Sequence, residues 1–467
     1  MRVLRSSCLY LSMLSVWVWL AAPAQAEIKP SGLFNDNCVL QRDMEIPVFG
    51  TGTDGEKVSV TLDQDKAEAT VKDGKWLAKL KPLKAGGPYT LTIAGNKDKV
   101  ECKNVLVGDV WVCGGQSNME MGMGGTANAK AAIEASANDK IRLITIPRHG
   151  KPSPQDDVSA KWEVCGPQTV GGFTAVGYYF GRALQKDLNV PIGLINSNVG
   201  GTPAERWTPK EALAAEPALD VYAKNANSSD LYNAMIHPLI RYAVKGAIWY
   251  QGESNAGQAY RYRTLFPTMI KSWRTAWNEG ELPFFFVQLA PFMKIEDHPT
   301  DSNWAELREA QLLTLKNVPK TGMAVITDVG DEKDIHPKQK QPVGERLAQA
   351  ARAVAYGEKV EPSGPIYASM VVSGPEVTLK FDHVGQGLMM KGDKLTGFTI
   401  AGEDKKFVNA DAKIVGDTVV VSSPEVPKPA SVRFGWANYP VVNLWNKDGL
   451  PASPFRTDTW PATTDKN

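Results

Sequence analysis

The stretch Asp109-Val110-Trp111-Val112-Cys113-Gly114-Gly115-Gln116-Ser117-Asn118-Met119 decides how the rest of the chain is read. Residues 109–113 form a short apolar run without polar alternation, the pattern of a strand buried on both faces. The two glycines that follow permit a sharp turn that would lift the Ser117 hydroxyl clear of a sheet. Ligands of open parallel sheets bind beyond the carboxyl ends of the strands, which is where this serine would sit. Met119 stands where the usual nucleophile elbow has its second glycine. Taken alone, the stretch therefore also fits a serine in a plain glycine turn, or one capping a helix.

Working outward, similar apolar runs recur at 192–196, 247–250, 284–289 and 323–328. Helical periods lie between them at 172–188, 258–278, 303–317 and 338–355, the last with Val343, Leu347, Ala350 and Val354 on one face. This alternation predicts an α/β fold with a doubly wound parallel sheet over residues 105–357. Upstream, Val58, Val60 and Leu62 alternate with Ser59 and Thr61, and Asp73-Gly74 and Gly86-Gly87-Pro88 supply turns, so residues 27–104 are expected to form a small β-sandwich. Alternation returns at Val377, Leu379 and Phe381 and again near 419–421 and 431–436. A second β-rich region is expected over 358–467, with a loose tail after Trp460.

Residues 1–26 carry Arg2 and Arg5, an apolar stretch at 9–22, and Ala24-Gln25-Ala26, the three zones of a secretory signal peptide. Its removal would leave 441 of the 467 residues, exported to the periplasm or beyond the cell. No later stretch approaches the roughly 20 apolar residues that span a bilayer, so no membrane partner is expected of the mature form. The net charge of +1 includes the two leader arginines, and no long basic run follows, which argues against a nucleic-acid partner. Cys38, Cys102, Cys113 and Cys165 could pair in three ways, and their wide spacing fits neither a zinc site nor a thiol redox motif.

Three further strand ends carry chemistry. Gly200-Gly201-Thr202 could aim backbone N–H groups at an anion. Gln251-Gly252-Glu253-Ser254-Asn255 offers side-chain amides. Asp334-Ile335-His336-Pro337 precedes the last helical period, where Pro337 as first helical residue would place His336 at the helix entrance. Of five histidines, His149 and His298 lie in loops flanked by proline and charge, His383 in the terminal β region, and His237 after an apolar run. His336 alone combines a strand edge with a neighbouring carboxylate. The helix dipole would disfavour its imidazolium and Asp334 would offset that, leaving an oriented ring fit to act as a general base. A histidine merely capping the helix is the competing reading. No second histidine or cysteine is spaced to join it around a metal.

Together these blocks, with Val107-Gly108-Asp109-Val110-Trp111, Val39-Leu40-Gln41-Arg42 and Gly449-Leu450-Pro451-Ala452-Ser453-Pro454-Phe455-Arg456, resemble the sialate O-acetylesterase family of SGNH hydrolases in order and spacing. The resemblance implies an SGNH-type sheet and a carboxylic ester hydrolase that takes O-acetyl groups from an acetylated carbohydrate without a cofactor. It implies Ser117 as nucleophile, His336 as base and Asp334 as acid, with an oxyanion hole of the Ser117 N–H, the Gly200 or Gly201 N–H and a side-chain amide. The general SGNH pattern Gly-x-Asn of the third block is not kept, so Gln251 and Asn255 are both candidates, with Gln251 favoured. The superfamily spaces its acid three residues before the histidine, so Asp331 competes with Asp334. Glu253, Asn255 and Arg206 are expected to contact substrate. Sialic acid, xylan and xyloglucan are all open as the acetylated glycan. A lipase lacks a lid segment here, and a non-catalytic sugar-binding protein would leave the four loops without a purpose.

Overall fold

The computed structural model describes residues 28–466, so the expected signal peptide lies outside the described residues. Its centre is a sheet whose strands are β1 (Lys99–Gly115), β2 (Asn138–Thr145), β3 (Trp162–Cys165), β4 (Ile192–Asn198), β5 (Gly246–Tyr250), β6 (Phe284–Val287) and β7 (Thr321–Ala324). Across the sheet they run β3-β2-β4-β1-β5-β6-β7. Every neighbouring pair is parallel except β3 with β2. The sheet is therefore mixed, which corrects the all-parallel expectation. The edge pair is poorly legible because Arg142, only 2% exposed, interrupts the apolar run of β2.

The strands are buried on both faces because helices cover both. α1 (Ala175–Leu188) and α4 (Gln341–Val354) pack on one side with Trp111, Cys113, Ile248, Tyr250 and Phe285. α2 (Ala259–Trp277) and α3 (Asn303–Asn317) cover the other, where Trp273 and Phe266 meet Trp249, Phe284 and Phe286. Successive residues of β5 thus feed opposite cores, as the period of two requires.

The chain leaves β1 toward β4 and β2 on one side and later builds β5 to β7 on the other, so β1 is the switch point of the sheet. Its register places Gly115 opposite both Asn198 and Tyr250. Three strand ends therefore finish level, and the three loops after them share one rim.

β1 is 17 residues long. Its first half pairs with Gly86–Ala94 in the N-terminal β region and its second half is the centre of the α/β sheet. The 104/105 boundary expected from sequence falls inside it. Asp109, 1% exposed, ties the parts together by accepting both forks of Arg42 at 2.9 Å and the Tyr356 hydroxyl at 2.9 Å. The C-terminal residues form small antiparallel sheets against α3. The tail is docked rather than loose, because the buried Glu306 carboxylate accepts the Thr463 N–H at 2.8 Å and the Thr464 N–H at 3.0 Å. Cys38, Cys102, Cys113 and Cys165 are all free, buried thiols, and burial raises Cys102 to about 11. No described helix is long and apolar enough to cross a membrane.

Candidate active site

β1 ends at Gly115 with φ of +137°, and a Cβ there would lie 2.2 Å from the Tyr250 carbonyl oxygen of the next strand. Both the dihedral and the close approach demand glycine. We predict that Gly115→Ala destabilises the protein by about 1–3 kcal/mol from backbone strain alone, with the steric overlap added, read as a lowered midpoint in chemical denaturation. An unchanged midpoint would contradict the turn.

After this turn a single helical turn, Ser117–Glu120, begins with the serine half-buried. Ser117 Oγ lies 2.8 Å from His336 Nε2, bridging 219 positions of sequence. At that distance a neutral imidazole can take the hydroxyl proton. Asp334 Oδ1 lies 3.5 Å from His336 Nδ1 and accepts the His336 backbone N–H at 2.9 Å. Asp331 does something else. Its Oδ1 accepts the N–H groups of Lys333 at 2.8 Å and Asp334 at 3.2 Å, which shapes the turn rather than the ring.

The helix after this loop starts at Gln341 with Pro342 in its first turn, so His336 stands outside it and Pro337 does not begin it. The helix dipole does not act on His336 as expected, since that field fades within a turn and the helix begins five residues later. Lys340 holds the N-cap position instead.

The Gly200 loop covers Ser117, since a Cβ on Gly200 would sit 3.4 Å from the serine Cβ. The Gly200 N–H donates to Glu120 Oε2, and Glu120 Oε1 is 3.4 Å from Arg148. Gly201 is exposed with φ of +68°. Gln251 is fully buried. Its amide donates to Asn255 Oδ1 at 2.7 Å and its carbonyl accepts the Tyr262 hydroxyl at 2.9 Å, so both ends of the expected oxyanion amide are engaged inside the protein. Asn255, 2% exposed, donates to Glu205 and accepts the Ala204 N–H, which joins two loops. Glu253 is half-buried, with its carboxylate turned inward against Asn118. Arg206 is clamped by both oxygens of Asp230 at 2.8 and 2.6 Å. Each of the three expected substrate contacts is thus engaged with other side chains of the protein.

Sequence reasoning passed over Asn118, Glu120 and Lys340, each of which shares a turn with a residue it did single out. Asn118 is 1% exposed and donates to the Ile335 carbonyl at 2.9 Å, directly before His336. The remaining histidines lie elsewhere: His237 bonds the Gln155 carbonyl at 2.8 Å and His383 pairs with Glu361 at 2.7 Å. Among the described residues no group of three or more His, Cys, Asp and Glu is placed to hold a metal ion.

The sequence profile of the family described as "Carbohydrate esterase, sialic acid-specific acetylesterase" matches residues 107–353. Sialate O-acetylesterases of Pongo abelii and Homo sapiens are each 30% identical to the chain, the alignments covering 95% of both partners. A crystal structure described as a novel carbohydrate acetylesterase from Xanthomonas citri superposes with a TM-score of 0.88 at 41% identity, covering 93% of this chain and 100% of that one.

Proposed function

This chain belongs to the family of sialic acid-specific carbohydrate esterases, and on that footing we propose that it releases acetate from O-acetylated sugars with Ser117 as nucleophile, on an SGNH-type catalytic part at 105–357. The observation that carries the reading is the 2.8 Å contact of Ser117 Oγ with His336 Nε2 at the switch point of the sheet. His336 takes the hydroxyl proton as Oγ attacks the acetyl carbonyl, forming the serine ester, and returns it to the departing sugar oxygen. Water, deprotonated by the same ring, then frees acetate and restores Ser117.

The developing oxyanion is met by the Ser117 and Gly200 N–H groups, with Gly201 next to them, so the acyl oxygen displaces the Glu120 carboxylate from Gly200. Asp334 orients the imidazole and balances its charge during transfer. The signal at 1–26 sends the enzyme to the periplasm or beyond. An acetylated polysaccharide of plant origin, such as xylan or xyloglucan, is the alternative substrate reading, and the 41% identical relative is a carbohydrate acetylesterase.

Two measurements test this. Acetate release across a panel of acetylated sialosides, xylan and xyloglucan identifies the glycan, and release from none of them rejects the reading. Separately, Asp334→Asn lowers kcat by about 10²-fold or more and Asp331→Asn by less than about 10-fold. The reverse order would make Asp331 the orienting acid.

A further inference from the structure

Beneath the serine lies a buried charged cluster that the chemistry above leaves unused. Asn118 Nδ2 donates to Glu253 Oε1 at 2.6 Å and to the Ile335 carbonyl at 2.9 Å, while Asn118 Oδ1 accepts from Lys340 Nζ. One amide thus faces a carboxylate with its NH₂ and an ammonium with its oxygen, the orientation in which both charges favour the amide dipole and oppose its flip. Asn118 follows the nucleophile in sequence, and Ile335 precedes the base. Its hydrogen bonds therefore connect the two turns that hold Ser117 and His336.

The cluster is costly to keep. Lys340 is 1% exposed at the start of α4, where the helix dipole also disfavours a cation, and burial lowers it to about 7. The groups that face it are Glu253 from the loop after β5, Asp334 from the base loop, the Tyr250 ring 5.1 Å below, and the Asn118 amide. Glu253 is held above the ordinary carboxylate range by burial, and its Oε2 has no hydrogen-bond partner among the described residues. A fold that needed only packing here would be served by apolar side chains of similar volume.

We propose that Glu253 and Lys340 are positioning residues whose opposed charges lock the Asn118 amide, and that this lock sets the separation and alignment of Ser117 and His336. The proposal rests on that pair being the reacting groups. Neither residue touches the hydroxyl, so loosening the lock misplaces the base without altering the substrate's surroundings.

The test is steady-state hydrolysis of p-nitrophenyl acetate from pH 5 to 10 by Glu253→Gln, Lys340→Met and Lys340→Arg, with melting temperatures measured alongside. Glu253→Gln and Lys340→Met lose roughly 10- to 100-fold in kcat with KM unchanged. The wild type loses kcat on its alkaline side as Lys340 gives up its proton. Lys340→Met lacks that limb, and Lys340→Arg, which stays charged, carries it beyond the range. Near-wild-type kcat with the same pH profile in Glu253→Gln and Lys340→Met would overturn the proposal. So would losses that follow melting temperature alone while the profile keeps its shape. If Lys340→Met does not fold, Glu253→Gln and Lys340→Arg decide by the same readings. An active Ser117→Ala enzyme would remove the proposed reaction itself, whereas an inactive one beside unaltered Glu253→Gln and Lys340→Met enzymes removes the lock alone.

Discussion

Ser117→Ala lowers acetate release by about 10⁴-fold or more and leaves the melting temperature within about 1–2 °C of the wild type. The loss is large because the hydroxyl is the atom that bonds to the acyl carbon and the one that His336 Nε2 contacts. Water bound over the Gly200 loop could still be activated by His336, so a small residual rate above the uncatalysed reaction is expected. The fold survives because the hydroxyl is half-buried and its hydrogen bond is to His336 rather than to the backbone of the turn. The geometry of that turn is set by Gly115 instead. Measurement is by acetate release from p-nitrophenyl acetate and from an acetylated glycan, with circular dichroism as the control. Retained turnover on both substrates would reject the serine mechanism.

The largest stability effect is expected at Arg308, far from the reacting atoms. Its side chain is fully buried in α3, with Nε donating to the Leu289 carbonyl at 2.8 Å, Nη1 to Ala437 at 2.7 Å, and Nη2 to Ala290 at 3.0 Å and Asn438 at 2.9 Å. One guanidinium thus joins the segment after β6 to the loop of the C-terminal β region. Burial lowers its pKa to about 9, which still leaves it charged at neutral pH.

Arg308→Met keeps most of the volume but removes a donor from each of four carbonyls. The Ala290 carbonyl keeps the Trp304 indole N–H and the Asn438 carbonyl keeps the Phe292 N–H, so two carbonyls, those of Leu289 and Ala437, lose their donor. At about 1–3 kcal/mol for each of the two, the loss is about 2–6 kcal/mol, reduced by the relief of desolvating a charge. The expected readout is a lowered denaturation midpoint together with faster proteolysis near residues 435–440. A midpoint equal to the wild type would show that the C-terminal region is held by other contacts.

Much of the architecture was legible because apolar period and length mark strands and helices directly. The runs of β4 and β5 and the helical periods of α1 to α4 fall where expected. The misses have physical causes. β2 contains a buried arginine that bonds the Asp139 carbonyl of its own strand and Asn104 of a distant segment, and a charged residue in a strand gives no sign of burial by its own polarity. Pro337 mimics a helix start, yet the chain makes one more bend before Pro342 takes that role. The tail after Trp460 is polar and would be loose in isolation, but Glu306 on α3 satisfies its N–H groups.

By itself the sequence determined which segments are buried strands, which loops follow them and which loops carry a serine, a histidine, glycines and amides, because these are local properties of side-chain size, polarity and backbone freedom. The tertiary structure alone decided which of those groups meet. It brought Ser117 to His336, committed Gln251 and Asn255 to each other, and set Glu253 and Lys340 on the two ends of the Asn118 amide. The direction in which a polar side chain points is set by competition among partners from distant segments. That competition begins only once the strands have fixed their register.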